Sequence, residues 1–184
     1  MELSESKLDG IALIGFRLQA DSVNPDFFTL MAYGERDFPV RDGVQIVFFT
    51  EPALAAKVCE YWPEEIRRLA KASLEIDLVC DVAKALHIIK NEDQDDSSIL
   101  LNCLNTFFDL VVATGHACPK GYERALSRLA DRLTFEREFA TFLEQEHVSR
   151  SDILDAFLWC MGSIAANAKL ITNNEAISDA VRML

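Results

Sequence analysis

The hydrophobic pattern of this chain changes its period about half-way along the sequence. Between residues 10 and 50, β-branched and aromatic residues stand in short runs with partial alternation, and turn-forming residues separate the runs. From residue 98 onward, apolar residues recur every three or four positions, which is the period of a helix. The predicted fold class is therefore α+β, with a small, mostly antiparallel N-terminal sheet and its helices followed by a C-terminal bundle of about four helices.

The first half, residues 1–92, is predicted to be an α+β subdomain of three to four strands and two to three helices. The predicted strands cover residues 10–19, 27–33, 44–50 and 74–82, with 38–40 as an extension of a hairpin. The predicted helices cover residues 51–62, with Thr50 as N-cap, 63–73 and 81–90.

The second half, residues 93–184, is predicted to be a helical subdomain that shares one core with the first half. The charged stretch 91–98 is the predicted joint between them. The predicted helices cover residues 98–113, 121–133, 135–145, restarted by Thr134, and 152–171, followed by a tail or short helix over 172–184. Asp96 or Ser97 is expected to cap the first of these helices, and Ser149 with Asp152 resembles a capping arrangement for the fourth.

The net charge of −12 excludes some classes of partner. It is divided equally between the two halves, so the acidity belongs to the whole chain and not to a tail. Nucleic acids and anionic membranes are held mainly by Lys and Arg, so neither is expected as a partner. A basic protein would instead be attracted.

Cysteine usage and the absence of a leader predict a cytoplasmic location. The five cysteines are odd in number and widely spaced, as expected for free thiols in a reducing compartment. The polar N-terminus does not resemble a signal peptide. The apolar stretch Ile99–Ala113 is interrupted by polar residues and is predicted to be too short and too polar to span a membrane.

The stretch TGHACPKG, residues 114–121, places a histidine beside a cysteine. His116 and Cys118 could act as a metal loop or a nucleophile site, but every residue also suits a turn between two helices. Gly115 suits the left-handed position after a helix, His116 meets the helix's negative end, and Pro119 prevents continuation. A zinc site would need two more ligands, so the favoured interpretation is the interhelical turn.

The other histidines and the acidic loop offer no metal motif. His87 lies within an apolar helix segment and is predicted to be a core histidine, whereas His147 lies near a helix end. A loop starting at Asp93 lacks the Gly at position six and the Glu at position twelve that an EF-hand requires. Motifs for a serine nucleophile or a phosphate cradle are also absent.

Asp109 interrupts an otherwise apolar helix, together with Asn102 and Asn105. A carboxylate on a central helix needs partners, and the expected one is an arginine of the row Arg124, Arg128 and Arg132. The same row would otherwise be a solvated helix face. Asp77 and Asp81, which flank the fourth strand, carry no stronger signal for acid–base chemistry.

Two adjacent phenylalanine pairs give the strongest indication of function. Phe27 with Phe28 and Phe48 with Phe49 must point to opposite faces of a strand. Either both faces of the sheet are covered, or one face is an exposed apolar patch for a partner.

These features favour a soluble, acidic, non-catalytic protein-binding or oligomeric module. The alternative is a small-molecule-binding protein or an enzyme with a cleft between the two subdomains. No residue is assigned a catalytic, cofactor-binding or metal-binding role, and no cofactor is expected. The expected partner is another protein or a second copy of the chain.

Overall fold

A computed structural model describes residues 8–35, 37–70, 75–91, 97–135, 139–175 and 177. In these ranges the chain forms a mixed sheet of seven strands and seven helices, with most of the strands in the first half and most of the helices in the second. The α+β class and the order of sheet and helices are therefore confirmed. Residues 93–96, which carry most of the acidic loop, lie outside the described residues.

The elements follow the predicted order, but the helix predicted over residues 63–73 is only the four-residue helix Glu64–Arg67, and the strands Arg41–Asp42 and Ala168–Ile171 were not predicted. The strands are β1 (Leu8–Arg17), β2 (Phe27–Gly34), β3 (Phe38–Pro39), β4 (Arg41–Asp42), β5 (Gln45–Phe49), β6 (Ile76–Asp81) and β7 (Ala168–Ile171). The helices are α1 (Pro52–Glu60), α2 (Glu64–Arg67), α3 (Val82–Lys90), α4 (Ser97–Thr114), α5 (Lys120–Phe135), α6 (Phe139–Glu146) and α7 (Arg150–Ala166).

The sheet is built around the long antiparallel pair of β1 and β2. The strand order is β4-β5-β2-β1-β6, with β3 on β2 and β7 on β5. The pairs β1–β2, β2–β3, β2–β5 and β4–β5 are antiparallel, as the short connections predict. The hydroxyl of Thr29, which is fully buried, donates to the carbonyl of Val47 at 2.8 Å and adds a side-chain link between β2 and β5.

Strand β7 corrects the predicted helix over residues 152–171. Helix α7 ends at Ala166, and the chain then runs parallel to β5 with Ile46 opposite Ala168 and Phe49 opposite Ile171. The carbonyl of Asn167 accepts a hydrogen bond from the N–H of Ile46 at 2.8 Å. The helical period of the sequence continues through these residues, but pairing with a distant strand decides their conformation.

The chain divides into two compact units whose limits differ from the predicted division at residue 92. The sheet unit contains residues 1–17, 22–79 and 167–184, and the helical unit contains 18–21 and 80–166. Helix α3 therefore belongs to the helical unit, and strand β7 returns to the sheet unit.

The core of the sheet unit packs one sheet face against α1 and the residues that follow it. Its buried members are mostly aliphatic and aromatic: Ile11, Leu13, Phe28, Leu30, Ala32, Val47, Phe49, Leu54, Ala55, Val58, Cys59, Trp62, Ile171 and Ile177. The members from β1, β2 and β5 alternate along each strand, as expected for one face of a sheet. Ile171 brings β7 into this core, so the last strand contributes packing as well as hydrogen bonds.

Helix α4 is the central helix of the helical unit and packs against α3, α5 and α7. The rings of Phe107 on α4 and Phe157 on α7 lie 4.9 Å apart. With 18 residues, α4 is long and apolar enough by composition to cross a membrane, although the apolar stretch was predicted to be too short. Half of the helix is buried within the protein, as is typical of a core helix.

Arg150 joins three helices of the helical unit. Its guanidinium donates to the carbonyls of Ile88, Ile89 and Asn91 at 3.3, 3.2 and 2.7 Å, and these carbonyls lie at the C-terminal end of α3. The same group lies 5.2 Å from the ring centre of Phe139 on α6. Because a helix leaves its last carbonyls without internal partners, Arg150 satisfies the end of α3 from the first turn of α7.

The helix starts confirm one predicted cap and correct another. Ser149 and Asp152 form a reciprocal capping box, since the Asp152 carboxylate accepts from the Ser149 N–H at 3.1 Å and the Ser149 hydroxyl accepts from the Asp152 N–H at 3.1 Å. At α1 the N-cap is Glu51 and not Thr50, because the chain stays extended through Glu51 until Pro52 begins the helix.

The Asp152 carboxylate gives the stability of the helical unit a defined pH dependence. Hydrogen bonds from the Ser149 side chain and backbone lower the pKa of Asp152. This contribution is therefore complete above the unfolded pKa and is lost as pH falls through the lower folded pKa. We expect Asp152→Ala to reduce the midpoint of urea unfolding at pH 7 and to reduce it less at pH 2.

The matched control for Asp152→Ala is Asp155→Ala, which removes an exposed carboxylate from the same helix. We expect Asp155→Ala to leave the midpoint nearly unchanged at both pH values. Equal losses for the two variants at pH 7 would contradict a capping role for Asp152.

Gly15 on β1 is required by a close approach of Pro25. A Cβ atom at residue 15 would lie 2.6 Å from Cγ and 2.9 Å from Cβ of Pro25, and the rigid ring cannot move away. We expect Gly15→Ala to lower the free energy of unfolding by about 1–3 kcal/mol through overpacking. Urea unfolding followed by fluorescence measures this loss.

Gly162 in α7 provides the contrasting substitution. A Cβ there meets no described atom within 4 Å, so Gly162→Ala should stabilise the helix by about 0.5–1 kcal/mol. Losses of similar size at both glycines would show that the contact with Pro25 is not the cause.

Candidate functional site

The stretch TGHACPKG forms the turn between α4 and α5, as predicted. Helix α4 ends at Thr114, and Gly115 follows with a φ of 71°, in the left-handed region that glycine adopts without strain. The Gly115 N–H donates to the carbonyl of Val112 at 3.1 Å, and α5 begins at Lys120 immediately after Pro119.

His116 is held by two hydroxyl groups. Its Nδ1 lies 3.0 Å from Oγ of Ser163 on α7, and its backbone N–H donates to Oγ1 of Thr114 at 3.1 Å. Thr114 in turn donates to the carbonyl of Val111 at 2.7 Å and lies 3.5 Å from Ser163. Since Thr114 and Ser163 are each 8% exposed, the turn is fastened to α7 by a largely buried hydroxyl network.

Ser163 is the member of this network that the sequence analysis missed. It follows Cys160 by three residues on the buried side of α7. A small hydroxyl on an apolar helix face indicates a polar contact, but its partner is 47 residues away and no spacing rule points to it.

Cys118 does not have the properties of an activated nucleophile. Its side chain is half-buried, and burial is the main cause that raises the pKa of the thiol. The charge of Glu123 raises it further, against a hydrogen bond from the Glu123 backbone. Reactive cysteines need a lowered pKa, and His116 bonds to Ser163. This geometry disfavours the hypothesis of a functional His–Cys pair.

The remaining histidines take structural positions at the surface. His87 is exposed, so the prediction of a core histidine is wrong: the buried side of α3 consists of Val82, Ala85, Ile88 and Ile89. The ring Nδ1 of His87 lies 2.9 Å from Nδ2 of Asn91. His147 follows α6 with a φ of 52°, where it ends the helix.

The candidate carboxylates on β6 accept hydrogen bonds from backbone N–H groups. Asp77 accepts a hydrogen bond from the Leu13 N–H at 3.1 Å, and Asp81 caps α3 by accepting from the Lys84 N–H at 2.9 Å. Both roles are structural, because each carboxylate satisfies a backbone donor.

The arginine row supports α6. Arg128 on α5 pairs with Glu146 at 2.6 Å, and Arg132 bonds to the side chain of Gln145. Asp109 is half-buried on α4, and its expected pairing with this row stays a prediction.

A further group of polar side chains is buried beside α4. The Cys80 thiol lies 3.3 Å from Oγ1 of Thr106 and 3.9 Å from the carbonyl of Asn102. A hydrogen bond to Cys80 and burial together raise the pKa of the Cys103 thiol. Cys80 and Cys103 have no exposed surface, so this group belongs to the core.

Metal-binding clusters are not found in the part of the chain that the structure describes: no three His, Cys, Asp or Glu side chains there come together. The zinc hypothesis for His116 and Cys118 thus gains no third ligand from the described residues. The acidic loop that was compared with an EF-hand calcium site begins at Asp93, and its residues 93–96 lie outside the described residues.

The phenylalanine pairs do not form an exposed patch. Phe28, Phe48 and Phe49 are all buried, and the ring of Phe48 packs edge-on against Phe16 at 5.6 Å. The buried rings therefore include both members of the Phe48–Phe49 pair, which point to opposite faces of β5.

No protein-family model, curated protein or solved structure matches this chain.

The hydroxyl network predicts that Thr114 contributes more to stability than a threonine with a similar backbone bond elsewhere. Thr114→Val removes the donor to Val111 and leaves the His116 N–H without its acceptor. We expect this substitution to lower the free energy of unfolding by about 1–2 kcal/mol, measured by urea unfolding.

The matched control is Thr134→Val on α5, where an exposed hydroxyl donates to the carbonyl of Ala130 at 2.8 Å. Its loss should cost less than about 0.5 kcal/mol because water replaces the bond. Equal effects at the two threonines would contradict the proposed fastening of the turn.

Proposed function

We propose that this protein is a cytoplasmic, non-catalytic binding protein whose partner is a basic protein. The single observation that carries the proposal is a difference between the charged side chains of opposite sign. Many Lys and Arg side chains form hydrogen bonds or ion pairs within the chain, whereas many Asp and Glu side chains are exposed and form neither.

The cationic groups are engaged inside their own units. Arg150 donates to three carbonyls, Arg128 pairs with Glu146, and Lys169 pairs with Asp42 across β7 and β4. Arg17 donates to the carbonyl of Val23 at 3.1 Å, and Lys57 donates to Asn174 at 2.8 Å. Each of these cations keeps its charge, but its hydrogen-bond donors are used within the chain and are not available to an acidic partner.

A set of exposed carboxylates makes no hydrogen bond or ion pair with another described residue. The set is Asp9, Asp21, Glu35, Asp37, Glu51, Glu60, Glu65, Glu75, Glu123, Asp131, Glu144 and Asp155. It includes residues of both units, which matches the equal division of the net charge along the sequence. The resulting field attracts basic proteins and repels a second copy of the chain, so it favours a basic partner over self-association.

The candidate site offers little support for catalysis. Ser163 and Thr114 are buried and bond to neighbouring groups, and the pKa of Cys118 is raised. A nucleophile would instead need an accessible atom and a group that activates it.

Salt-dependent capture tests the proposal. The purified protein is immobilised and exposed to a native lysate at low and high ionic strength, and bound proteins are identified by mass spectrometry. We expect a basic protein to bind at 50 mM NaCl and to be released at 500 mM, since salt at that concentration screens charges beyond roughly 5 Å. Direct titration with the purified candidate then gives its Kd.

Charge variants make the test specific. One variant carries Glu51→Gln, Glu60→Gln and Glu65→Gln in the sheet unit, and another carries Glu123→Gln, Asp131→Asn and Glu144→Gln in the helical unit. At least one should weaken binding about tenfold or more, whereas Arg67→Gln with Lys90→Gln should not weaken it. A salt-insensitive partner, or no partner together with a monomer by light scattering, would contradict the proposal.

The alternative function, an enzyme or small-molecule-binding protein, has one observation in its favour. The 3.0 Å separation of His116 Nδ1 and Ser163 Oγ would suit a base beside a hydroxyl nucleophile. A fluorophosphonate probe distinguishes the two functions. We expect no labelling of Ser163, whereas labelling that is lost in His116→Ala would favour the enzyme.

A further inference from the structure

Helix α7 carries apolar residues on two sides. One mostly apolar series is buried within the helical unit: Ile153, Ala156, Phe157, Cys160, Ser163 and Ile164. A second series on the outer side is half-buried or exposed: Ser151, Leu154, Leu158, Met161 and Ala165. Because a surface helix normally turns polar and charged residues to solvent, an apolar outer side indicates a surface that packs against another molecule.

The outer series has the spacing of a contact between two helices. Its members stand alternately three and four residues apart from Ser151 to Ala165, which is the a and d spacing by which one helix packs along another. Leu158 lies at the centre of the series and is 45% exposed. Trp159 is half-buried next to it and offers the kind of side chain that often dominates the binding energy of an interface.

Gly162 lies on this outer side and leaves the backbone open to close approach. A Cβ atom at this position would meet no described atom within 4 Å, so no described neighbour requires the small residue. Glycine within a helix nevertheless costs about 1 kcal/mol relative to alanine. Ala165 and Ala166, which are also exposed, extend the open surface toward the end of the helix.

The charges of α7 indicate the chemistry of the partner. Asp152 and Asp155 are exposed in its N-terminal half, and Asp155 makes no hydrogen bond or ion pair with another described residue. The single cation of the helix is Arg150, which donates to carbonyls at the end of α3. The outer side of α7 therefore complements Lys and Arg side chains, and it repels a second copy of the same acidic chain.

We propose that the outer side of α7, from Ser151 to Ala165, is the docking surface for the basic partner, and that the partner binds it with an amphipathic helix. This inference rests on the proposed function and names the surface that carries it. Apolar residues of the partner helix pack on Leu154, Leu158 and Met161, and its Lys or Arg side chains lie beside Asp155.

A synthetic peptide serves as the test ligand. It has about 18 residues, with Leu at the a and d positions of its heptads, Lys at the flanking e and g positions and Ala elsewhere. One control peptide has Glu in place of Lys, and another has the same residues in scrambled order. Each peptide is titrated into the full-length protein at about 50 mM and about 500 mM NaCl, and binding is measured by calorimetry and tryptophan fluorescence.

We expect the Lys peptide to bind at least about tenfold more tightly than either control peptide, and to bind more weakly at high salt. Its binding should shift the fluorescence of Trp159 to shorter wavelength because the partner helix excludes water from the ring. Trp62 should not contribute to this shift, since it is already buried in the core of the sheet unit.

Substitutions on the outer side locate the binding surface. Leu158→Ser and Met161→Ser should each weaken binding about tenfold because they remove apolar contacts. Asp155→Asn should weaken binding at low salt and reduce its dependence on salt. The matched control is Val112→Ser on α4, which changes a side chain that is 79% exposed and should leave binding unchanged.

Gly162→Ala separates docking from folding. It should raise the temperature of unfolding because alanine favours a helix, and it should weaken binding of the Lys peptide about tenfold because the methyl group prevents close approach. Gly121→Ala in the first turn of α5 is the control, since a Cβ there also meets no described atom within 4 Å. This second variant should leave binding unchanged.

The inference is overturned if the Lys peptide does not bind, if the scrambled peptide binds equally well, or if Leu158→Ser and Val112→Ser weaken binding equally. A dimer that Leu158→Ser dissociates would also overturn it, because a second copy would then cover the surface. The proposed function fails separately. A basic protein whose binding is unchanged in Leu158→Ser overturns the docking surface alone, whereas equal binding of the Glu and Lys peptides overturns the basic partner.

Discussion

The pairing of β7 with β5 is the contact on which the rest of the fold depends. The Ile46 N–H donates to the carbonyl of Asn167, and the Thr50 N–H donates to the carbonyl of Ile171 at 3.2 Å. Lys169 pairs with Asp42 beside these bonds, and Ile171 is buried in the core of the sheet unit. The helical unit is consequently inserted between β6 and β7 of one sheet, and it does not follow the sheet as a separate C-terminal half.

Both ends of the helical unit continue into strands of the same sheet. The backbone groups at the helix ends within the unit therefore have to find their hydrogen-bond partners inside the unit. Arg150 donates to the carbonyls at the C-terminal end of α3, and Ser149 with Asp152 caps the start of α7. The contacts among Thr114, His116 and Ser163 link the turn between α4 and α5 to α7. These polar groups are used for structure, whereas the exposed carboxylates among the described residues are available to other molecules.

Local features of the fold could be predicted from the sequence because they depend on neighbouring residues. The β1 and β2 strands, the long α4 helix, the left-handed Gly115 and the capping box all follow from hydrophobic period or turn chemistry. Features that depend on distant partners could not be predicted. The residues of β7 continue the helical period of α7, and only β5, more than a hundred residues earlier, makes them a strand.

The candidate site shows the same limit. Residues 114–121 predict a turn, but they do not indicate that His116 bonds to Ser163 and not to Cys118. His87 was predicted to be buried because its segment is apolar, yet it lies on the exposed side of α3, whereas the next two residues, Ile88 and Ile89, are buried.

Hydrogen exchange of the full-length protein tests most directly whether β7 completes the sheet. The carbonyls of Asn167 and Ile171 face β5, so residue 169 faces β5 as well and residue 170 faces away. Lys169→Pro should therefore expose the amides of Ile46, Phe48 and Thr50, which face β7, to exchange far more than Leu170→Pro. The amide of Val47, which bonds to Val40, is the internal control, and Lys169→Met separates the loss of the ion pair with Asp42. Unchanged protection of Ile46, Phe48 and Thr50 in Lys169→Pro would show that β7 does not complete the sheet.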